Sequence, residues 1–191
     1  MRRRTVMSLW ILVFGATLAA GSDLPYEEIV DQTFAVSVAA GVSLENVNGD
    51  ASIETWDRDE VWVQAVKRAS SPDLLAALRI DIDASANRVD IDTHYPTTHG
   101  SGQGTSVEYT LTVPRHANVD SIELVNGNLR IVDVEGGVAA ACVNGTIRAS
   151  GLAGRIELVL DRVVHHARKV HLPAVRQVPA EGEAEAEDRR P

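Results

Sequence analysis

Leu124-Val125-Asn126-Gly127-Asn128-Leu129-Arg130-Ile131 and Cys142-Val143-Asn144-Gly145-Thr146-Ile147-Arg148-Ala149 align without a gap at an offset of 18 residues. The offset persists downstream, where Val134 falls on Leu152, Gly136 on Gly154 and Val138 on Ile156. A third Val-Asn-Gly stands apart at Val47-Asn48-Gly49. A fixed period with the same turn chemistry in each copy predicts stacked turns of a β-solenoid. In all three copies the Asn-Gly pair predicts a tight turn at positive φ. The asparagines Asn48, Asn126 and Asn144 should then stack along one corner, each amide bonding the next. Gly49, Gly127 and Gly145 are read as structural, so Gly127→Val is expected to destabilise strongly.

Outward from the repeat, apolar residues keep a period of two. Phe34, Val36 and Val38 open the series, followed by Val61, Val63 and Ala65, and by Leu78, Ile80 and Ile82 with charges between them. Val89 and Ile91, then Val107, Tyr109, Leu111 and Val113, then Ile156, Leu158 and Leu160 complete it. This alternation predicts half-buried strands and excludes a helical protein. One short helix is expected near 71–78, with Ser71 as N-cap, Pro72 as first helical residue and Asp73 favourable to the dipole. His94–Thr105 reads as a loop. The fold class is mostly β: antiparallel hairpins in the N-terminal half, then a right-handed β-solenoid, since the apolar spacing does not keep a six-residue beat.

The chain's ends read differently. Arg2-Arg3-Arg4, the apolar run from Val6 and the small residues up to Gly21 predict a secretory signal peptide over 1–21. The run is shorter than the roughly 20 residues of a membrane-spanning helix, so no transmembrane span is expected after cleavage. Its loss removes three arginines and no acid, leaving 15 basic against 27 acidic residues, a net charge of about −12. Such a chain repels phosphate backbones, which argues against nucleic acid. One period beyond Asn144-Gly145 lie Arg162 and Val163, with His165 where Leu129 and Ile147 stood. The repeat therefore stops near Leu160, giving a domain over 34–160. Residues 161–178 are a candidate cap, and the acidic 179–191 stretch is too poor in apolar residues to fold.

Val42-Ser-Leu44-Glu-Asn-Val-Asn48-Gly49-Asp50 followed by Ile53-Glu-Thr-Trp56-Asp57-Arg58-Asp59-Glu60-Val61, with Tyr109-Thr-Leu-Thr-Val113-Pro114 and the two later Val-Asn-Gly segments, resembles the bacterial putative-adhesin family of β-strand-repeat proteins, a domain of unknown function. The resemblance spans about Phe34 to Leu160. It implies an exported, envelope-associated β-solenoid and carries over no catalytic residue. The chain departs from the family pattern after Leu160, where further rungs are usual.

Few constellations carry chemistry. A hairpin with Ala84–Asn87 as its loop would set Asp83 opposite Arg88, Asp81 opposite Asp90 and Arg79 opposite Asp92. Asp81 and Asp90 are the weak Ca²⁺ candidates, but a solvated ion-pair ladder needs fewer oxygens than calcium does. Asp90→Ala is accordingly expected to be neutral or slightly stabilising. His165, His166 and His171 cluster among Arg162, Arg168 and Lys169, a poor setting for zinc. Trp56 and Trp62 flank the turn Asp57–Glu60 and are candidates for glycan contact. Cys142, the one cysteine, fills the place of Leu124 and reads as a small core hydrophobe. No nucleophile elbow or phosphate-cradling loop is present, and no cofactor is expected. The sequence thus predicts an exported, non-enzymatic module at the periplasm, outer surface or exterior, binding an envelope protein or glycan. The alternatives are a polysaccharide-active β-helix enzyme, which needs convergent acids, and an envelope sensor.

Overall fold

A computed structural model describes residues 24–96 and 104–160. The expected signal peptide, the cap and tail assignments, the histidine cluster and most of the predicted loop fall outside the described residues. Among the described residues twelve strands and one helix follow in chain order: β1 Tyr26–Ala35, β2 Gly41–Asn48, β3 Ala51–Trp56, β4 Glu60–Ala69, α1 Pro72–Ala77, β5 Arg79–Ser85, β6 Arg88–His94, β7 Thr105–Pro114, β8 Asn118–Asn126, β9 Leu129–Val132, β10 Val138–Asn144, β11 Ile147–Ser150 and β12 Ile156–Leu160. Ser71 caps α1 by accepting from the Leu74 N–H at 3.2 Å, with Pro72 in the first turn. No helix among the described residues is long and apolar enough to cross a membrane.

The strands form two open, mixed sheets of six, ordered β1-β4-β7-β3-β9-β11 and β12-β10-β8-β2-β6-β5. Period-two patterning explains the layering. Ile53, Val61, Val63 and Leu111 from the first sheet and Leu44, Ile91 and Ile122 from the second are fully buried in one shared core. The antiparallel pairs are β1 with β4, β4 with β7 and β5 with β6. All other pairings are parallel.

The 18-residue offset is a register in space. Leu124 lies beside Cys142, Leu129 beside Ile147 and Val138 beside Ile156. The chain places one strand in the second sheet, turns at Asn-Gly and places the next in the first sheet. The outlying copy joins the same stack, with Asn48 beside Asn126 and Ala51 beside Leu129. A continuous solenoid over the second half was expected; the architecture is instead two facing open sheets, with this alternation repeated at one end.

The glycines differ from expectation. Gly49 does have a positive φ of 122°, but Gly127 and Gly145 do not. Their requirement is contact: a Cβ on Gly127 would overlap the Gly49 carbonyl oxygen, and one on Gly145 would overlap that of Gly127. Each corner therefore packs backbone on backbone. The Asn corner is as expected, with Asn126 Nδ2 donating to Asn48 Oδ1 at 2.9 Å and Asn144 Nδ2 to Asn126 Oδ1 at 3.0 Å.

Beside this corner lies a buried polar knot that the sequence reading missed. Asn46 Nδ2 donates to the Val107 carbonyl at 2.9 Å, and Tyr95 Oη donates to Asn46 Oδ1 at 2.6 Å. Burial pushes the Tyr95 phenol up to about 12 against its backbone hydrogen bonds, and burial also raises that of Tyr109. A phenol harder to ionise folded than unfolded contributes stability below pH 10 that is lost as pH rises towards 12. Denaturation midpoints should therefore fall across that window, and Tyr95→Phe should make the fall shallower.

Candidate interaction surface

The most distinctive surface is the outer face of the second sheet. Because Ile82, Ile91, Leu44 and Ile122 point inward, the alternate residues point to solvent. Register then brings together residues far apart in sequence: Asp81 lies beside Asp92, Asp92 beside Glu45, and Glu45 beside Glu123. Four exposed carboxylates thus run across β5, β6, β2 and β8 at the roughly 4.8 Å spacing of neighbouring strands. The row continues in small or apolar residues, Ala141 and Val159. Glu45 and Glu123 each precede the Asn of a Val-Asn-Gly by three residues, a legible signal that passed unused.

A second row holds Asp83, Asp90, Ser43 and Ser121. Ser43 Oγ donates to Asp90 at 2.5 Å, and Arg88 Nε reaches the same carboxylate at 2.7 Å. Arg88 also holds Asp120 at 2.9 Å. Asp120 sits where β8 carries one residue more than β2 and β10, a bulge that marks the end of the strand nearest Arg88. The hydrogen bond to Asp120, opposed by burial and joined by Asp90, raises the Arg88 guanidinium above its usual range. His94 Nε2 lies 2.8 Å from Asp81. Among the described residues no ion pair reaches Asp92, Glu45 or Glu123. The middle of the row is uncompensated.

This register corrects the predicted hairpin. The turn is Ala86-Asn87 alone, so Asp81 faces Asp92 and Asp83 faces Asp90, rather than Asp81 facing Asp90, Asp83 facing Arg88 and Arg79 facing Asp92. A slip of two residues keeps every side chain on its face, which is why alternation cannot detect it. Among the described residues no three His, Cys, Asp or Glu side chains are grouped to hold a metal. Asp90 serves Ser43 and Arg88, so Asp90→Ala is now expected to cost up to about 1 kcal/mol rather than being neutral. The relief of repulsion moves to Asp92→Asn, expected to stabilise by roughly 0.3–1 kcal/mol in urea denaturation.

The tryptophans lie on the opposite outer face. Trp56 Nε1 donates to the Glu60 carbonyl at 2.7 Å, and the Arg58 guanidinium stands 5.0 Å over its ring. Trp62 Nε1 donates to Asp31 at 2.8 Å. Both indoles are half-buried and tied to their own sheet, with one face of Trp56 occupied. Cys142 is buried, donates to the Gly127 carbonyl at 3.2 Å, and has its thiol pushed up by burial. Two open clefts, each about 370 Å³, lie at sheet margins. One is lined by Arg88, Asp120, Arg155 and Glu157, the other by Val30, Ile80, Ile82 and Asp83.

No protein-family model matches the chain, and no curated protein matches it. Among solved structures, a putative cell adhesion protein from Clostridium sporogenes ATCC 15579 aligns over 70% of this chain and 95% of its own, at 8% identity and a TM-score of 0.40. A putative lipid binding protein from Parabacteroides distasonis ATCC 8503 aligns over 68% of this chain and 59% of its own, at 13% identity and a TM-score of 0.37. A putative adhesin from Bacteroides fragilis NCTC 9343 aligns over 71% and 97%, at 10% identity and a TM-score of 0.31. These likenesses are too remote to assign a function.

Proposed function

We propose that this chain is an exported, non-enzymatic module of the cell envelope or cell surface, adhesin-like, with the two facing sheets as its rigid scaffold. Its role is to bind an envelope protein or glycan. The observation that carries the reading is the carboxylate row Asp81, Asp92, Glu45 and Glu123 on an exposed sheet face. Adjacent like charges weaken a sheet, so a scaffold that holds them there spends stability on a surface. Such a surface fits a cationic partner and gives binding that weakens with salt. Export rests on the N-terminal segment, with its basic start, apolar run and small residues up to Gly21.

The test pairs capture from envelope extract with a glycan array, using the chain lacking residues 1–21. Salt-sensitive retention of a defined partner is the expected result. Turnover of a polysaccharide by the same preparation would sink the non-enzymatic reading.

A further inference from the structure

The last coil of the stack is left without cover. Ile156, Leu158 and Leu160 of β12 lie in register beside Val138, Ala140 and Cys142 of β10, and so share their inward direction. The β10 side chains are 2, 5 and 1% exposed, whereas those on β12 are 48, 40 and 62% exposed. The facing sheet repeats the pattern. Ile147 is half-buried where its neighbour Leu129 is buried, and Ala149 is exposed where Ile131 is buried. Both free edges at this end, β11 and β12, therefore border core-type side chains. Val30, Ile80 and Ile82 at the opposite end, like Ile147 and Leu152 at this one, are partly buried against the core, so the β12 side chains are the most exposed large ones of the inward-facing set. An apolar patch joined to two unpaired strand edges is a surface that recruits a cover.

We propose that residues 161–178 of the same chain are that cover. They start at the exposed edge, directly after Leu160, and amount to one 18-residue period. They carry Val163, Val164, Val170, Leu172 and Val175, enough apolar surface to match the open rung. A tethered segment acts at an effective concentration in the millimolar range, well above that of a second copy in dilute solution. It covers the end without extending the stack, because the Asn-Gly corner is missing and His165 replaces the apolar residue of the next rung. This ends the repeat and blocks edge-to-edge association. The proposal rests on the fold and is independent of the acidic face.

The experiment uses the chain lacking residues 1–21 and places Val164→Asp with Val170→Asp in it. The expected result is a Tm lower by roughly 5 °C or more, with several-fold greater binding of an apolar-surface dye. Deleting 179–191 should change neither, and light scattering should give a monomer. Unchanged Tm and dye binding in the double variant would overturn the proposal. So would a wild-type dimer that Leu160→Asp converts to monomer, which would make a second copy the cover.

Discussion

Gly127→Val is expected to lower stability by roughly 4 kcal/mol or more, or to prevent folding altogether. The side chain would have to occupy space held by the Gly49 carbonyl, and backbone on both sides leaves nothing to repack. The corner N–H groups tie the same stack, Gly49 N–H donating to the Asn126 carbonyl and Gly127 N–H to the Asn144 carbonyl. Separating the layers to admit a side chain would break these bonds and the asparagine ladder together. Gly127→Ala distinguishes contact from conformation. With an ordinary φ at this position, alanine has no backbone penalty and should still cost several kcal/mol. A loss below about 1 kcal/mol in chemical denaturation would show that the layers are not stacked this closely.

Asn46→Leu is the second large effect, expected to cost roughly 3 kcal/mol despite an equal number of side-chain heavy atoms. Asn46 is 3% exposed, and its amide ties β2 to β7 by donating to the Val107 carbonyl and to the segment after β6 by accepting from Tyr95 Oη. Leucine leaves the carbonyl without that donor and adds no compensating burial, since the site is already filled. Tyr95→Phe should cost less, because Asn46 Oδ1 loses its donor while Asn46 Nδ2 keeps its bond to the Val107 carbonyl. The double variant should fall short of the sum of the singles, which thermal and urea denaturation of all four proteins would measure. Strict additivity would mean the two side chains act separately.

Much of the fold is legible in local pattern. Alternation locates the strands because each has one buried face, and Ser71-Pro72-Asp73 locates the helix through its cap. The 18-residue offset becomes parallel register because identical corners must stack. What escapes local pattern depends on contacts between distant segments. The reason for Gly127 lies in the carbonyl of Gly49, 78 residues earlier, not in its own φ. The β5–β6 register depends on a turn without glycine, Ala86-Asn87, and both registers satisfy the same hydrophobic pattern. The acidic row needs the strand order β5-β6-β2-β8, which no window of sequence contains. Asn46 shares the inward parity of Val42 and Leu44, but its polar partners are invisible locally, since only the fold brings Tyr95 and Val107 to it.

Charge reversal along the acidic row tests the proposed binding role most directly. Glu45→Lys, Asp92→Lys and Glu123→Lys together should leave the melting temperature near that of the wild type, because all three side chains are exposed. Quantitative capture of the envelope partner at low salt should fall at least ten-fold relative to wild type, roughly 1.4 kcal/mol of binding free energy. Capture that survives the triple reversal in a folded protein would contradict the account and move the binding surface elsewhere on the molecule.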